Sequence, residues 1–461
     1  MTNQPRPPRR DLGGKLPAGL TPITTTTSEP IIRWKTDPGE QLDPARFELV
    51  DFWDEPVGPI QQILDSSRLA EAAAQFDQDP KPTHEPDKEN PMSTQHPPRT
   101  PILIDDKPNG FSAIDLFAGA GGTALGLSNA GFDHLLLSEI DKHAANTLKT
   151  NRPDWNVIQG DVAGLDFSEY YGKVDLLEGG FPCQAFSYAG QSKGFADTRG
   201  TLFFEFARAV SETMPKVFIG ENVRGLVRHD KGRTLQTMME ALREIEDPAT
   251  GAKYSVAYRV VRSQYHDVPQ KRERIIIIGL RNDIGANIFF PRKRDYIISL
   301  WDAIGDRPQS EGQLYPESKK AVLELVPPGG CWRDLPEDLQ KEYLGGSFYL
   351  GGGKTGMARR LSWEQPSLTL TTSPAQKQTE RCHPEETRPL NVREYARIQT
   401  FPDSWKFEGG VGNSYKQIGN AVPVNLGYYL GKCAQAMLEN DPTTHDYFVE
   451  KASDQDYVFR R

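Results

Sequence analysis

Short apolar runs alternate with amphipathic stretches along this chain from Phe111 onward, and that alternation leaves few folds open. Ala113–Phe117, His134–Ser138, Val174–Glu178, Val217–Gly220, Tyr254–Val261 and Arg274–Gly279 are the apolar runs. A strand with one wet face alternates polar and apolar residues, whereas an unbroken run such as Ile275–Ile278 fits burial on both faces. Gly122–Ala130, Lys142–Thr150, Leu202–Thr213 and Leu235–Ile245 lie between runs and carry helical spacing. Strand and helix in turn predict an α/β fold, a largely parallel sheet with helices on both faces.

The alternation has edges. Residues 1–110 hold 18 of the 36 prolines and carry 12 Lys and Arg against 18 Asp and Glu, so most of the net charge of -9 sits there. Too few apolar groups are present to offset the entropy of ordering them, and a mostly flexible N-terminal extension is expected. One small ordered island is expected inside it, from the aromatics of Phe47–Trp53 and an amphipathic helix over Ile60–Phe76. A second break runs from 291 to 384, with Pro-Pro-Gly-Gly at 327–330 and Gly-Gly-Gly at 351–353. Helical spacing returns at Asn391–Gln399 and Val424–Leu438. The expected organisation is an extension (1–110), the main α/β domain (111–290), an insert (291–384), a return to the main domain (385–440) and a C-terminal tail (441–461).

A net charge of -9 over 461 residues excludes a chain that coats nucleic acid with basic charge throughout, although not a local basic groove. Four cysteines are too few for a disulfide scaffold, and their spacing fits no zinc template. The sequence contains no long apolar span and no secretory leader pattern. A soluble cytoplasmic protein without metal or membrane contact is expected.

Chemistry gathers where apolar runs end. Asp115-Leu116-Phe117-Ala118-Gly119-Ala120-Gly121-Gly122 follows one run and opens a helix, and its glycines let the backbone approach a ligand at the helix N-terminus. Glu139 ends the next run, where a carboxylate can take two ribose hydroxyls, and Asp161 closes a further strand-like run. Three such loops at one sheet edge make a nucleoside pocket, although the glycine loop alone also suits a tight turn of a dehydrogenase-like domain. Cys183 stands in a Gly/Pro turn directly after a buried run, placed for a thiolate nucleophile, whereas Cys331, Cys382 and Cys433 read as structural. Glu221 ends another run and would face the same crevice. Arg272 and Arg274 precede the isoleucine run, where alternation puts them on one side as fixed cations.

Together these segments resemble the cytosine-5 DNA methyltransferases, of the bacterial restriction–modification type. The resemblance rests on Asp115–Gly122, Pro182-Cys183-Gln184 with the loop to Arg199-Gly200-Thr201, Glu221-Asn222-Val223, Gln270–Arg274, Arg388–Pro402 and Gly419-Asn420-Ala421-Val422-Pro423, in the family's order. Asn391 departs from the Thr common in the family. The resemblance implies a Rossmann-like, S-adenosylmethionine-dependent methyltransferase sheet in which 291–384 is a target-recognition domain. It implies that Cys183 attacks C6 of a flipped-out cytosine, that Glu221 hydrogen-bonds N3 and the exocyclic amine, and that Arg274 holds the O2 carbonyl with Arg272 in support. It implies S-adenosylmethionine as donor, with Phe117, Gly119 and Gly121 along the methionine side, Glu139 at the ribose, Asp161 at the adenine amine, and Ile140, Pro182, Leu202, Asn420 and Val422 completing the pocket.

Double-stranded DNA is the implied partner, met by Gln184, Ser187, Lys193 and Arg199. In the insert Arg292, Lys293, Arg294, Lys354, Arg359, Arg360 and Lys377 are candidates for phosphate contacts. A monomer is expected, and a restriction endonuclease is a further functional partner the resemblance allows. Gly353-Lys354-Thr355 is no phosphate loop, because Phe348 stands where the first glycine is required. A tRNA cytosine methyltransferase on the same scaffold is the near alternative; the sizeable insert favours DNA. A non-catalytic binding protein would not need Cys183, Glu221, Arg272 and Arg274 together, and a nicotinamide oxidoreductase would leave the Pro-Cys and Glu-Asn-Val segments unexplained.

Overall fold

The computed structural model describes residues 100–105, 107–182, 202–349 and 355–457. The island expected at Phe47–Trp53 and Ile60–Phe76 lies outside them, as do Cys183, Gln184, Ser187, Lys193, Arg199 and Lys354. Strands β1 (Ser112–Leu116), β2 (Asp133–Glu139), β3 (Val157–Gln159), β4 (Leu176–Gly179), β5 (Val217–Val223) and β6 (Tyr254–Arg262) precede a two-residue β7 (Gln270–Lys271) and β8 (Glu273–Arg281). All but β7 join one sheet in the order β3-β2-β1-β4-β5-β8-β6.

The first five strands pair in parallel, and β8 runs against both β5 and β6. The sheet is thus largely parallel, with one reversed strand wedged near its end. A link as short as Ser263–Arg272 cannot cross over the sheet, so β6 and β8 must pair head to tail. Burial is blind to strand direction, which is why the isoleucine run announces a buried strand but not its reversal.

Helices α1 (Gly122–Asn129) and α2 (Lys142–Asn151) follow β1 and β2. Further helices that bear on the main sheet and the cleft are α3 (Leu202–Thr213), α4 (Arg233–Glu244) and, beyond the short helices of the insert, α5 (Val392–Ile398), α6 (Gly410–Asn420) and α7 (Val424–Leu438). Alternation along β8 sends Ile276 and Ile278 to one face, where Leu127 of α1 and Leu430 and Met437 of α7 cover them. Ile275 and Ile277 go to the other face, against Phe206 and Val210 of α3 and Leu235 and Met239 of α4. Each such side chain contributes roughly 1.5–3 kcal/mol by leaving water, and the unbroken apolar run is explained by two covered faces.

Two helices nearly three hundred residues apart in sequence meet without side chains between them. A Cβ on Gly126 of α1 would lie 2.4 Å from the Val424 carbonyl oxygen of α7, and one on Gly122 would lie 2.0 Å from that of Val422. The stretch before β1 also lies along α7. Tyr428 donates to Asp105 at 2.7 Å, Lys432 pairs with the same carboxylate, and Asn425 donates to the Pro101 carbonyl at 2.8 Å. The chain is held from Pro101, ten residues ahead of the boundary that composition suggests at 111, because α7 supplies polar partners for it.

Strands β9 (Phe289–Pro291), β10 (Ser367–Leu368) and β11 (Val449–Lys451) lie outside the main sheet. β11 pairs with β9, and Arg259 of β6 grips Glu450 and Asp456, so this part of the tail is packed. The insert has a small core of its own around Leu323, Trp332, Leu335, Leu344 and Cys382. Arg360 is spent inside it, donating to the carbonyls of Leu323 and Val326 at 2.7 Å. Arg294 is likewise buried, bonded to the Tyr429 hydroxyl at 2.6 Å and the Tyr447 carbonyl at 2.5 Å. These two are not phosphate contacts: charge counting cannot tell a solvated guanidinium from one satisfied by carbonyls. Among the described residues no helix is long and apolar enough to cross a membrane.

Gly126→Ala is expected to lower the unfolding free energy by about 3 kcal/mol, because backbone rather than a movable side chain meets the new methyl. Urea denaturation of the full chain measures it. Gly164→Ala, whose methyl would meet nothing within 4 Å, should move it by less than about 0.5 kcal/mol.

Candidate active site

The strand order turns back between β1 and β4, and in an open α/β sheet ligands bind outside the carboxyl ends at such a point. A cleft of about 810 Å³ opens there. The loop after β1 forms one wall. Phe117 and Gly119 take left-handed backbone angles (φ 59° and 55°), and Gly121 (φ 85°) caps α1. At Gly121 any side chain would also strike Leu148, 2.6 Å from its Cβ position, so this glycine closes the turn from behind rather than facing the cleft.

Glu139 joins two loops. Its carboxylate accepts the backbone N–H of Gly119 at 2.7 Å and that of Asp141 at 2.6 Å, while burial raises its pKa above the usual carboxylate range. Asp141 caps α2 and is held below its ordinary pKa by Lys416, whose Nζ lies 2.7 Å away. Asp161, beyond β3, is exposed and accepts the N–H of Ala163 at 3.0 Å. Ile140 stands 67 % exposed on the cleft wall, an apolar surface suited to a flat ring.

The opposite end of the cleft is ionic. Register pairs Glu221 with Ile276 and Val223 with Arg274 across β5 and β8, so the two charged side chains share a face. Arg274 Nε lies 2.6 Å from Glu221 Oε1, both side chains being largely buried, in an ionic contact without an aligned hydrogen bond. A Cβ on Gly180 would come within 3.3 Å of Glu221 Oε2, so glycine leaves room beside the carboxylate. Arg272 behaves differently from its neighbour. It falls in the break between β7 and β8, where alternation no longer holds, and is 1 % exposed. Its guanidinium reaches the carbonyls of Leu370 and Asn420 at 3.4 and 3.3 Å, and burial, with Arg274 nearby, pushes its pKa down to about 9.

Two side chains of the recognised segments had no role on sequence grounds and acquire one here. Asn222 donates to the Phe181 carbonyl at 2.8 Å, pinning the chain just before Pro182 and Cys183. Gln270 accepts the N–H of Leu370 at 2.9 Å and donates to Gln399 at 2.7 Å, beside the short parallel pairing of β7 with β10. A third feature is the pair Asp115 and Glu178, opposite each other on β1 and β4 and each 1 % exposed. A carboxyl at the end of an otherwise apolar buried run is the signal that could have drawn attention to both.

Of the residues singled out from sequence, Phe117, Gly119, Glu139, Ile140, Asp161, Pro182, Leu202, Glu221, Arg272, Arg274, Asn420 and Val422 line this one cleft. Cys183 and the four expected DNA contacts fall outside the described residues; Pro182, the residue before Cys183 in the sequence, is on the wall. Cys331, Cys382 and Cys433 are buried and free.

Residues 111–436 match the family model of the C-5 cytosine-specific DNA methylases. The type II methyltransferase M.Eco47II of Escherichia coli is 59% identical over 341 residues, covering 72% of this chain and 80% of that protein. M.Sau96I of Staphylococcus aureus, also a type II methyltransferase, is 53% identical over 329 residues, 70% of this chain and 75% of that one. A solved prophage-encoded protein of Escherichia coli, described as a DNA modification methyltransferase, superposes with a TM-score of 0.51 at 25% identity over 72% of this chain and 100% of its own. The chain belongs to the C-5 cytosine-specific DNA methylase family, the DNA cytosine-5 methyltransferases of restriction–modification type.

Proposed function

We propose that this DNA cytosine-5 methyltransferase takes its methyl group from S-adenosylmethionine and works on a cytosine everted from duplex DNA, through a transient bond between Cys183 Sγ and C6. The observation that carries the reading is a single cleft with the buried carboxylate of Glu139 and the apolar Ile140 at one end and an ion pair, Glu221–Arg274, at the other. The donor end fits a ligand without phosphates. Lys416, the one lysine lining the cleft among the described residues, is engaged by Asp141, and the buried oxygens of Asp115 meet no N–H or lysine donor. Glu139 would hold the ribose, Asp161 the adenine amine, Ile140, Leu202 and Pro182 the ring faces, and Phe117 and Gly119 the methionine side.

Bound there, S-adenosylmethionine supplies an electrophilic methyl on a cationic sulfur. The chain does the rest. Cys183 adds its thiolate to C6, and the C5–C6 π pair moves to C5, which becomes nucleophilic. Glu221 hydrogen-bonds N3 and the exocyclic amine, stabilising charge that grows on the ring only after addition. Arg274, already held beside Glu221, orients that carboxylate before the base arrives and meets the O2 carbonyl afterwards. Arg272 fixes the wall behind it. After methyl transfer a base, water at its simplest, removes the C5 proton; the C–H pair re-forms the double bond and Cys183 leaves with the Sγ–C6 pair. Extracting the base from the stack costs a few kcal/mol, offset by DNA contacts that include Gln184, Ser187, Lys193 and Arg199.

A 5-fluorocytosine duplex, from which no proton can be removed, should trap wild-type chain as a covalent adduct; an adduct that persists in Cys183→Ala ends the assignment. Glu221→Gln should slow methyl transfer to duplex DNA by roughly 10²-fold or more while donor binding by calorimetry stays within about twofold. Asn222→Ala leaves the buried Phe181 carbonyl unpaired and should lower stability by about 1–2 kcal/mol. The same variant should reduce kcat more than donor affinity, since it releases the segment that carries Cys183. Equal losses in both would count against that role.

A further inference from the structure

Asp115 and Glu178 are buried carboxyls that no step of methyl transfer uses. They stand opposite each other in the register of β1 and β4, the two strands between which the sheet order turns back, and both line the cleft. Each is 1 % exposed. Neither Asp115 oxygen nor Glu178 Oε1 has a hydrogen-bond partner among fixed donors, and no Arg or Lys pairs with either among the described residues. Two carboxylates at such range in a low-dielectric site cannot both ionise, so a proton is retained between them.

The other ionisable groups lining the cleft do not neutralise the pair. Glu139 from β2 adds like charge beside Asp115, and Glu221 from β5 adds like charge beside Glu178, the latter partly offset by its partner Arg274. Arg274 is committed to Glu221 and Lys416 to Asp141, while Arg272 keeps its charge but turns its guanidinium to the Leu370 and Asn420 carbonyls rather than to the pair. Asp161 is exposed at the rim. Thr123, Gln417 and Asn420, from α1 and α6, are uncharged. The Asp115–Glu178 pair therefore has no cation bound to it at the place where ligands of such sheets sit.

Resting on the donor named above, we propose that Asp115 and Glu178 hold one proton between them and set their remaining negative charge beneath the cationic sulfur, so that the cleft prefers S-adenosylmethionine to its neutral-sulfur product, S-adenosylhomocysteine. They act as positioning residues. Burial first, then the like charge of Glu139, pushes Asp115 up to about 7, against the hydrogen bond from Glu178, which burial and Asp115 together hold well above the usual carboxylate range. Near neutral pH the free pair thus carries part of a second proton. An arriving sulfonium drives that proton out to buffer, and a thioether does not.

Calorimetric titration of the full chain near pH 6.5, in buffers of different ionisation heat, counts the protons. Binding of S-adenosylmethionine should release a measurable fraction of a proton and binding of S-adenosylhomocysteine almost none; equal release, or none with either, overturns the proposal. The double variant Asp115→Asn/Glu178→Gln keeps shape and an internal hydrogen bond without charge. Its donor affinity should fall about tenfold or more with product affinity within about twofold. Parallel loss of both ligands would place the pair under the ammonium they share and refute the sulfonium role. If the double variant does not fold, the wild-type proton count decides alone. Wild-type chain that binds neither ligand would overturn the donor assignment itself, a result distinct from ligands bound without proton release.

Discussion

The site exists because α1 and α7 touch backbone to backbone. With Gly122 and Gly126 on one side and Val422, Val424 and Gly427 on the other, helices from distant parts of the chain approach closer than any side chain permits. That contact carries Asn420-Ala421-Val422 to the loop after β1, closing a cleft whose other walls come from β2, β4 and β5. Dispersion and burial across the α1–α7 seam hold the two halves of the domain around a 94-residue-wide interruption read from 291 to 384. A methyl group in the wrong place there would separate walls that must share one ligand.

Charge inside the cleft is arranged by pairing rather than by number. Glu221 is kept by Arg274, Asp141 by Lys416, and Glu139 by two backbone N–H groups. Each carboxylate is thereby fixed in direction before a ligand arrives, which is the condition under which electrostatic stabilisation is effective. Asp115 and Glu178 are the exception, held by burial and by each other.

Much of this was legible in the sequence. Helices α3 and α7 begin and end where hydrophobic spacing puts them, and the six apolar runs are strands displaced by a few residues at most. The residues drawn from separate motifs meet at one edge because a parallel sheet sends every strand-end loop the same way. What stayed hidden has physical reasons. Reversal of β8 leaves no trace in hydrophobicity, since both directions bury the same isoleucines. Arg294 and Arg360 look like surface cations until carbonyls are found around them. Arg272 looks equivalent to Arg274 because the break after Lys271 cannot be seen in residue types. The Asp115–Glu178 pairing depends on register between strands sixty residues apart, which no local pattern encodes.

Gln270 has a consequence for how the insert and the chemistry communicate. One buried amide ties Leu370, in the segment of the insert between its core residues Ala358 and Cys382, to Gln399 at the end of α5, while Arg272 rests on the Leu370 carbonyl. A displacement of the segment around Leu370 is therefore passed through a two-residue ladder, β7 on β10, to the buried Arg272 guanidinium on the cleft wall. Insert and cleft are mechanically geared, so that strain in the one shifts the alignment of the other.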